Sequence, residues 1–206
     1  MPWKGAAQFK DLMMNAHKCP VVIVLARDKG SGRVSIDANG DPVLNYPLAA
    51  HDRRSLIDGL ERSLRVLEAA GVEKVLTMHQ QLEMCDLDEA RAGDDAAEVP
   101  AVRRRRRLDE YVATVREAGV DPSYRMPLFS AHQMGSCRMG TAASNSVVNE
   151  EGEVWEVRNL YVADASTFPS PSGANPMITT LAISHSIAQH IKRNLRERAG
   201  QLKAAL

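Results

Sequence analysis

Three short segments of this 206-residue chain carry side chains whose types and spacing suit chemistry. The first is His132-Gln133-Met134-Gly135-Ser136-Cys137-Arg138-Met139-Gly140. With an ordinary pKa of about 6.5, a histidine is neutral at working pH and can take a proton from a substrate hydroxyl. A lone loop histidine is, however, more often a core or surface residue without chemistry. The second is Val162-Ala163-Asp164-Ala165-Ser166-Thr167-Phe168-Pro169. An acidic residue at the end of an apolar run, followed by small residues, can bring backbone amides and one polar group to a ligand at the carboxyl edge of a sheet. A plain turn in which Asp164 bonds its own backbone explains the string equally well. The third is Gly173-Ala174-Asn175-Pro176-Met177-Ile178-Thr179-Thr180. Asn175 is a favoured N-cap and Pro176 a favoured first helical residue, so local chemistry alone accounts for this helix start. The same N-terminus also offers free amides and partial positive charge to an anionic group.

Elements must position these segments. Residues 21–27, 33–37 and 43–46 are β-prone runs separated by Asp28-Lys29-Gly30-Ser31-Gly32 and Ala38-Asn39-Gly40-Asp41-Pro42, which predicts an antiparallel meander. Asn39-Gly40 is the stronger turn signal, because both residues tolerate positive φ. A helix over about 50–70 follows, with Leu56, Leu60, Leu64 and Leu67 on one face, Ile57 beside them and Gly71 as the left-handed cap. Residues 72–78 read as a strand. The acidic, Ala-rich 83–100 reads as a surface excursion, and Arg103 to Arg107 as the solvated start of an amphipathic helix over 108–118. Gly, Pro, Ser, Asn and Met then concentrate in 127–180, where backbone geometry rather than core volume is specified. That stretch contains a hairpin (Val147-Val148, turn at Glu151-Gly152, Val154-Trp155) and a buried strand, Leu160-Tyr161-Val162-Ala163. The last helix starts at Pro176 and runs to about Arg198.

Composition narrows the function classes. Lys plus Arg number 26 against 26 Asp plus Glu, so the broad basic footprint of a nucleic-acid or anionic-lipid binder is absent. The three cysteines, Cys19, Cys85 and Cys137, are odd in number and never spaced C-x-x-C, which argues against both a disulfide framework and a zinc site; no metal is expected. A Cys137/His132 nucleophilic pair lacks an oxyanion loop. The longest apolar run, 21–26, is far below the roughly 20 residues of a spanning helix. The chain therefore reads as soluble and intracellular.

Together the three segments resemble the carboxy-terminal region of the glucose-methanol-choline (GMC) oxidoreductases, flavoenzymes that oxidise alcohols with FAD, and within them the long-chain fatty alcohol oxidases. The family pattern is a histidine in H-x-x-G-(S/T)-C-R-M-G, a valine-rich turn, L-x-V-x-D-(A/G)-S, and a second His or Asn. His132 and Asn175 stand 43 residues apart with every landmark in order between them. The string S-A-H-Q-M-G-S-C-R-M-G, with W-E-V ahead of L-Y-V-A-D-A-S, favours the fatty alcohol group. The likeness is dense over 127–192 and weaker over 20–80.

The resemblance implies an α+β fold: an antiparallel substrate-domain sheet with flanking helices, plus the last strand and C-terminal helix of a Rossmann-like FAD-binding domain, an incomplete fold. Residues 1–126 would be the substrate-binding region, with 83–107 as its surface excursion, and 127–206 the catalytic region with a flavin-facing helix. His132 corresponds to the base that accepts the alcohol proton while hydride passes to the flavin. Asn175 corresponds to the partner that bonds the substrate oxygen. Asp164 and Ala165 correspond to residues touching the FAD ribityl and diphosphate, and Pro176 and Met177 to the pyrimidine end of the isoalloxazine. The implied reaction is FAD-dependent oxidation of a primary, long-chain alcohol to the aldehyde. A G-x-G-x-x-G motif is missing: Gly30-Ser31-Gly32 lacks the third glycine and lies between strands. The expected partners are an alcohol substrate and either the absent N-terminal FAD-binding half or a second copy; fatty alcohol members are often membrane-associated, but through a segment expected outside this part of the chain. The alternative reading is a non-catalytic remnant serving as a protein-interaction module.

Overall fold

The computed structural model describes residues 3–88, 97–120 and 126–204, and the chain divides into two units, Met1–Phe129 and Ser130–Leu206. In the first unit, helix α1 (Ala6–Met14) buries none of its residues. Strands β1 (Arg33–Ile36) and β2 (Pro42–Asn45) form an antiparallel hairpin in which Val34 faces Leu44 and Ile36 faces Pro42. Its turn is built by Asp37, whose carboxylate accepts the amides of Asn39 at 2.8 Å and Asp41 at 3.0 Å. Gly40 alone takes positive φ, at 88°, so Asn39 does not share the left-handed role expected of it. The expected meander is likewise reduced to this one hairpin. Residues 21–27 form no strand. Val24 instead lies where a Cβ on Gly59 would come within 2.3 Å of its Cγ1.

Helix α2 (Ala50–Ala69) matches its predicted span. Its end is set locally. Gly71, at φ 82°, donates its amide to the Glu68 carbonyl at 2.9 Å, and Val72 donates to Leu67 at 3.3 Å, the paired bonds of a Schellman cap. Its leucine stripe meets helix α3 (Pro100–Ala118) and strands β3 (Lys74–Val75) and β4 (Cys85–Asp86) around a core of Leu64, Val75, Cys85, Leu87, Leu108, Tyr111, Val112 and Val115. The strand expected over 72–78 is thus only two residues long.

Helix α3 starts at Pro100, eight residues before the expected Leu108, and takes in all five arginines. Proline needs no hydrogen-bonded amide at a first helical position, and the charges above it find partners. Arg106 pairs with Glu110 at 3.1 Å, one turn on, and with Glu98 at 3.1 Å. Arg104 donates to the Val72 carbonyl at 2.8 Å and pairs with Asp88. Arg107 is buried, with Nη1 donating to the Asp86 carbonyl at 3.2 Å. The run is therefore only partly a solvated face, and the 83–107 stretch, expected at the surface, places Leu87 and Arg107 inside.

The second unit is built from single β-bridges around helix α4 (Met177–Ala204). Val148 bridges Val154, and Trp155 donates its amide to Val147 at 3.3 Å, which is the hairpin predicted from the sequence. Its turn glycine, Gly152, sits at φ 80° beneath Ile187, a side chain of α4 that is almost fully buried. The run 160–163 pairs through one bridge, Tyr161 to Glu153, and Leu160 stays half exposed rather than buried.

Candidate functional site

The three chemistry-bearing segments lie in the second unit and are tied to one another by backbone. Asp164 leads into a 3₁₀ turn, Ala165–Thr167. Its carboxylate Oδ1 accepts the Ser166 amide at 2.7 Å. Its carbonyl accepts the Thr167 amide at 3.2 Å and the Thr167 hydroxyl at 2.8 Å, in a position where Thr167 is wholly buried. The His132 loop then docks on this turn. Amides of Gly135, Cys137 and Met139 donate to the carbonyls of Ala165, Ser166 and Thr167 at 3.3, 2.9 and 2.8 Å. Gly135 takes φ 86°, and a Cβ there would stand 3.3 Å from the Phe168 carbonyl oxygen. A side chain would strain both the backbone and that approach.

Helix α4 is tied to the same stretch. Ser184, two turns into the helix, donates its hydroxyl to the Ala163 carbonyl, next to Asp164. At the helix start, Pro176 is buried and its carbonyl accepts the Thr180 amide at 2.8 Å. The helix thus begins at Met177, one residue later than predicted, with Pro176 in the cap position and Asn175 just outside. The expected Asn175 cap is not formed. Among the described residues the Asn175 side chain has no hydrogen-bond partner, and neither has His132; both are exposed. The amides of Met177, Ile178 and Thr179 likewise meet no acceptor among the described residues, as expected for the first turn of a helix.

Electrostatics at the site centres on Asp164. The Ser166 hydroxyl, and then its amide, hold this carboxyl below the usual carboxylate range despite some desolvation. One carboxylate oxygen is thus committed to the turn. Of the predicted residues, the structure links Asp164 and Ala165 to the His132 loop, and Pro176 and Met177 to the same strand end through Ser184. No direct hydrogen bond joins His132 to Asn175 among the described residues. Sequence reasoning missed Thr167 and Ser184. Their signal is weak, because a hydroxyl bonding a backbone carbonyl follows from register rather than residue pattern.

An α+β chain in which a histidine loop and a long helix converge on a D-A-S turn has the makings of one class of oxidoreductase, and comparison with known proteins identifies it. The chain belongs to the GMC oxidoreductases: the model of that family's carboxy-terminal domain matches residues 28–184. It is 36% identical over 200 residues to long-chain-alcohol oxidase FAO4A of Arabidopsis thaliana, covering 96% of this chain and 25% of that protein. It is 34% identical over 199 residues to long-chain-alcohol oxidase FAO4B of the same plant, covering 96% and 24%. Among solved structures, pyridoxine 4-oxidase from Mesorbium loti superposes with a TM-score of 0.51 at 21% identity, over 81% of this chain and 28% of that one, a likeness of fold. The chain therefore spans about a quarter of the length of the curated relatives it matches. No described helix is long and apolar enough to cross a membrane.

Proposed function

We propose that this chain supplies the substrate side and the flavin-facing helix of an FAD-dependent oxidoreductase that converts a primary, long-chain alcohol to the aldehyde. Residues 1–126 serve as the substrate-binding region and 127–206 as the catalytic region. The observation that carries this reading is the common anchorage of the His132 loop, the Asp164 turn and helix α4 on residues 163–167. The names of the relatives support the long-chain alcohol as substrate.

The residues present fit one end of the cofactor. Three amides at the start of a 28-residue helix, which meet no acceptor among the described residues, form a site for developing negative charge. Met177 and the buried Pro176 would lie by the pyrimidine end of the isoalloxazine there, and Asp164 and Ala165 would belong to the region touching the ribityl and diphosphate. When bound, FAD supplies the two-electron acceptor for the carbinol hydride. No residues here form the glycine-rich phosphate loop. His132 accepts the hydroxyl proton at a ring nitrogen that no other described group occupies. Asn175 donates its amide to the substrate oxygen and fixes which hydrogen faces the acceptor. Neither side chain must break an existing bond to do so, which keeps the reorganisation cost low.

The test is to express the chain with FAD, measure the flavin absorbance that co-purifies, and assay a fatty alcohol. Bound flavin with alcohol turnover supports the proposal. A colourless, folded, monodisperse chain argues for the interaction-module reading instead.

A further inference from the structure

We infer that Asp164 is a positioning residue for the His132 loop, acting through the cap it places on the 3₁₀ turn Ala165–Thr167, and that its carboxylate serves that cap before any ligand. The inference rests on the reading of His132 as the base and deepens it.

The argument starts with how little holds so short a turn together. A three-residue 3₁₀ segment has few internal bonds and poor hydrogen-bond geometry, so its persistence depends on what closes its ends. Asp164 closes the first end twice. In extended backbone (φ −136°, ψ −172°), its side chain accepts the Ser166 amide and its carbonyl accepts both amide and hydroxyl of Thr167. The three carbonyls that the turn then presents are those that receive Gly135, Cys137 and Met139. The donors are every second residue from Gly135 to Met139 while the acceptors are consecutive. That register holds only while the turn stacks its carbonyls in a row. Were the turn to open, all three bonds would lose alignment at once. His132 has no hydrogen bond of its own among the described residues, so it inherits its place from Gly135, three positions on.

A cap and a charged ligand contact make different demands on this side chain. Asparagine keeps an acceptor oxygen and loses the charge, whereas alanine loses both. Asp164→Asn and Asp164→Ala are compared in the full chain by amide hydrogen exchange at Cys137 and Met139 and by the ring NMR signals of His132. In Asp164→Ala both amides should exchange about tenfold faster, the scale of a lost cap, and the His132 signals should move. Val112 and Val115, in the other unit's core, should keep their rates. In Asp164→Asn the two amides and the His132 signals should match the parent. Parent-like exchange in Asp164→Ala overturns the inference, as does loss of protection in Asp164→Asn equal to that in Asp164→Ala. Should Asp164→Ala not fold, Asp164→Ser offers a shorter, uncharged cap. Protection retained there supports the cap, and a tenfold loss overturns it. These readouts need neither cofactor nor turnover, so a wrong assignment of His132 as base would appear in the activity of His132→Ala and leave them unchanged.

Discussion

At the residue scale, the side chains proposed for chemistry and those that hold the chain differ in how fully they are bonded. His132 and Asn175 are exposed and unpartnered among the described residues, while both carboxylate oxygens of Asp52 are engaged. Asp52 is fully buried near the start of α2, and its two oxygens accept the amides of Lys29 at 2.9 Å and Gly30 at 2.8 Å. Burial pushes this carboxyl up, but those amides, with His51 and Lys29 nearby, outweigh it and hold the pKa below the usual range. Asp52→Ala strands both amides and should lower unfolding free energy by about 2–3 kcal/mol in urea titrations. Asp52→Asn keeps one acceptor oxygen and should fall between alanine and the parent. Equal stability of all three would mean the loop 28–30 is not held by this residue. On the chemical side, His132→Ala should lower alcohol turnover on the order of a hundredfold or more with bound flavin retained. Unchanged turnover would remove His132 from the mechanism.

At the element scale, Gly152 shows how a turn and a helix constrain each other. It needs positive φ, and a Cβ there would lie 2.6 Å from Cδ1 of Ile187 on α4. Gly152→Ala adds a left-handed penalty of about 1–2 kcal/mol and overpacking of about 1–3 kcal/mol. Trimming Ile187 to Val removes Cδ1 but keeps both γ carbons, at 2.8 and 3.0 Å, so it should recover only part of the second share, and a double-mutant cycle by chemical denaturation should show coupling at this pair. Additive effects would mean α4 gives way freely. Local signals of this kind were legible in the sequence. Gly71 ended α2, Asn39-Gly40 marked the hairpin, and Gly152 marked the turn, because each follows from chemistry within a few residues. Nonlocal outcomes were not. Residues 21–27 have strand composition, yet Val24 is spent against Gly59 rather than in a sheet. The early start of α3 depends on carboxylates at Glu98 and Asp88 and a carbonyl at Val72. For the site, the His132 to Asn175 spacing was readable, whereas the interlock on 165–167 was not, since backbone amides leave no trace in side-chain type.

At the scale of the whole molecule, charge and exposed apolar surface act together. The carboxyl groups held below the usual range include Asp52 and Glu61 in one unit and Asp164 in the other; for Glu61 the causes are the bonds from Arg116 and Arg65. A carboxyl depressed in the folded state adds stability above its unfolded pKa of about 4, and loses it as pH falls through the folded value. Stability should therefore drop as pH falls below about 4, and Asp52→Ala should flatten that drop in denaturant midpoints. Near neutrality the danger is different. With 26 positive and 26 negative side chains the net charge is zero, and Met177, Ile178 and Leu181 at the start of α4 are each more than 60% exposed. Self-repulsion is then weakest where an apolar patch is open, so light scattering of this chain should peak near pH 7, where its composition puts the isoelectric point (about 7.0). Leu181→Lys adds charge in the middle of the patch and should lower scattering at pH 7 while leaving the thermal midpoint within a few degrees. If scattering at pH 7 is the same in Leu181→Lys, association runs through another surface, and the exposed β1–β2 hairpin, with Ile36 at 77% and Leu44 at 68%, becomes the next to alter.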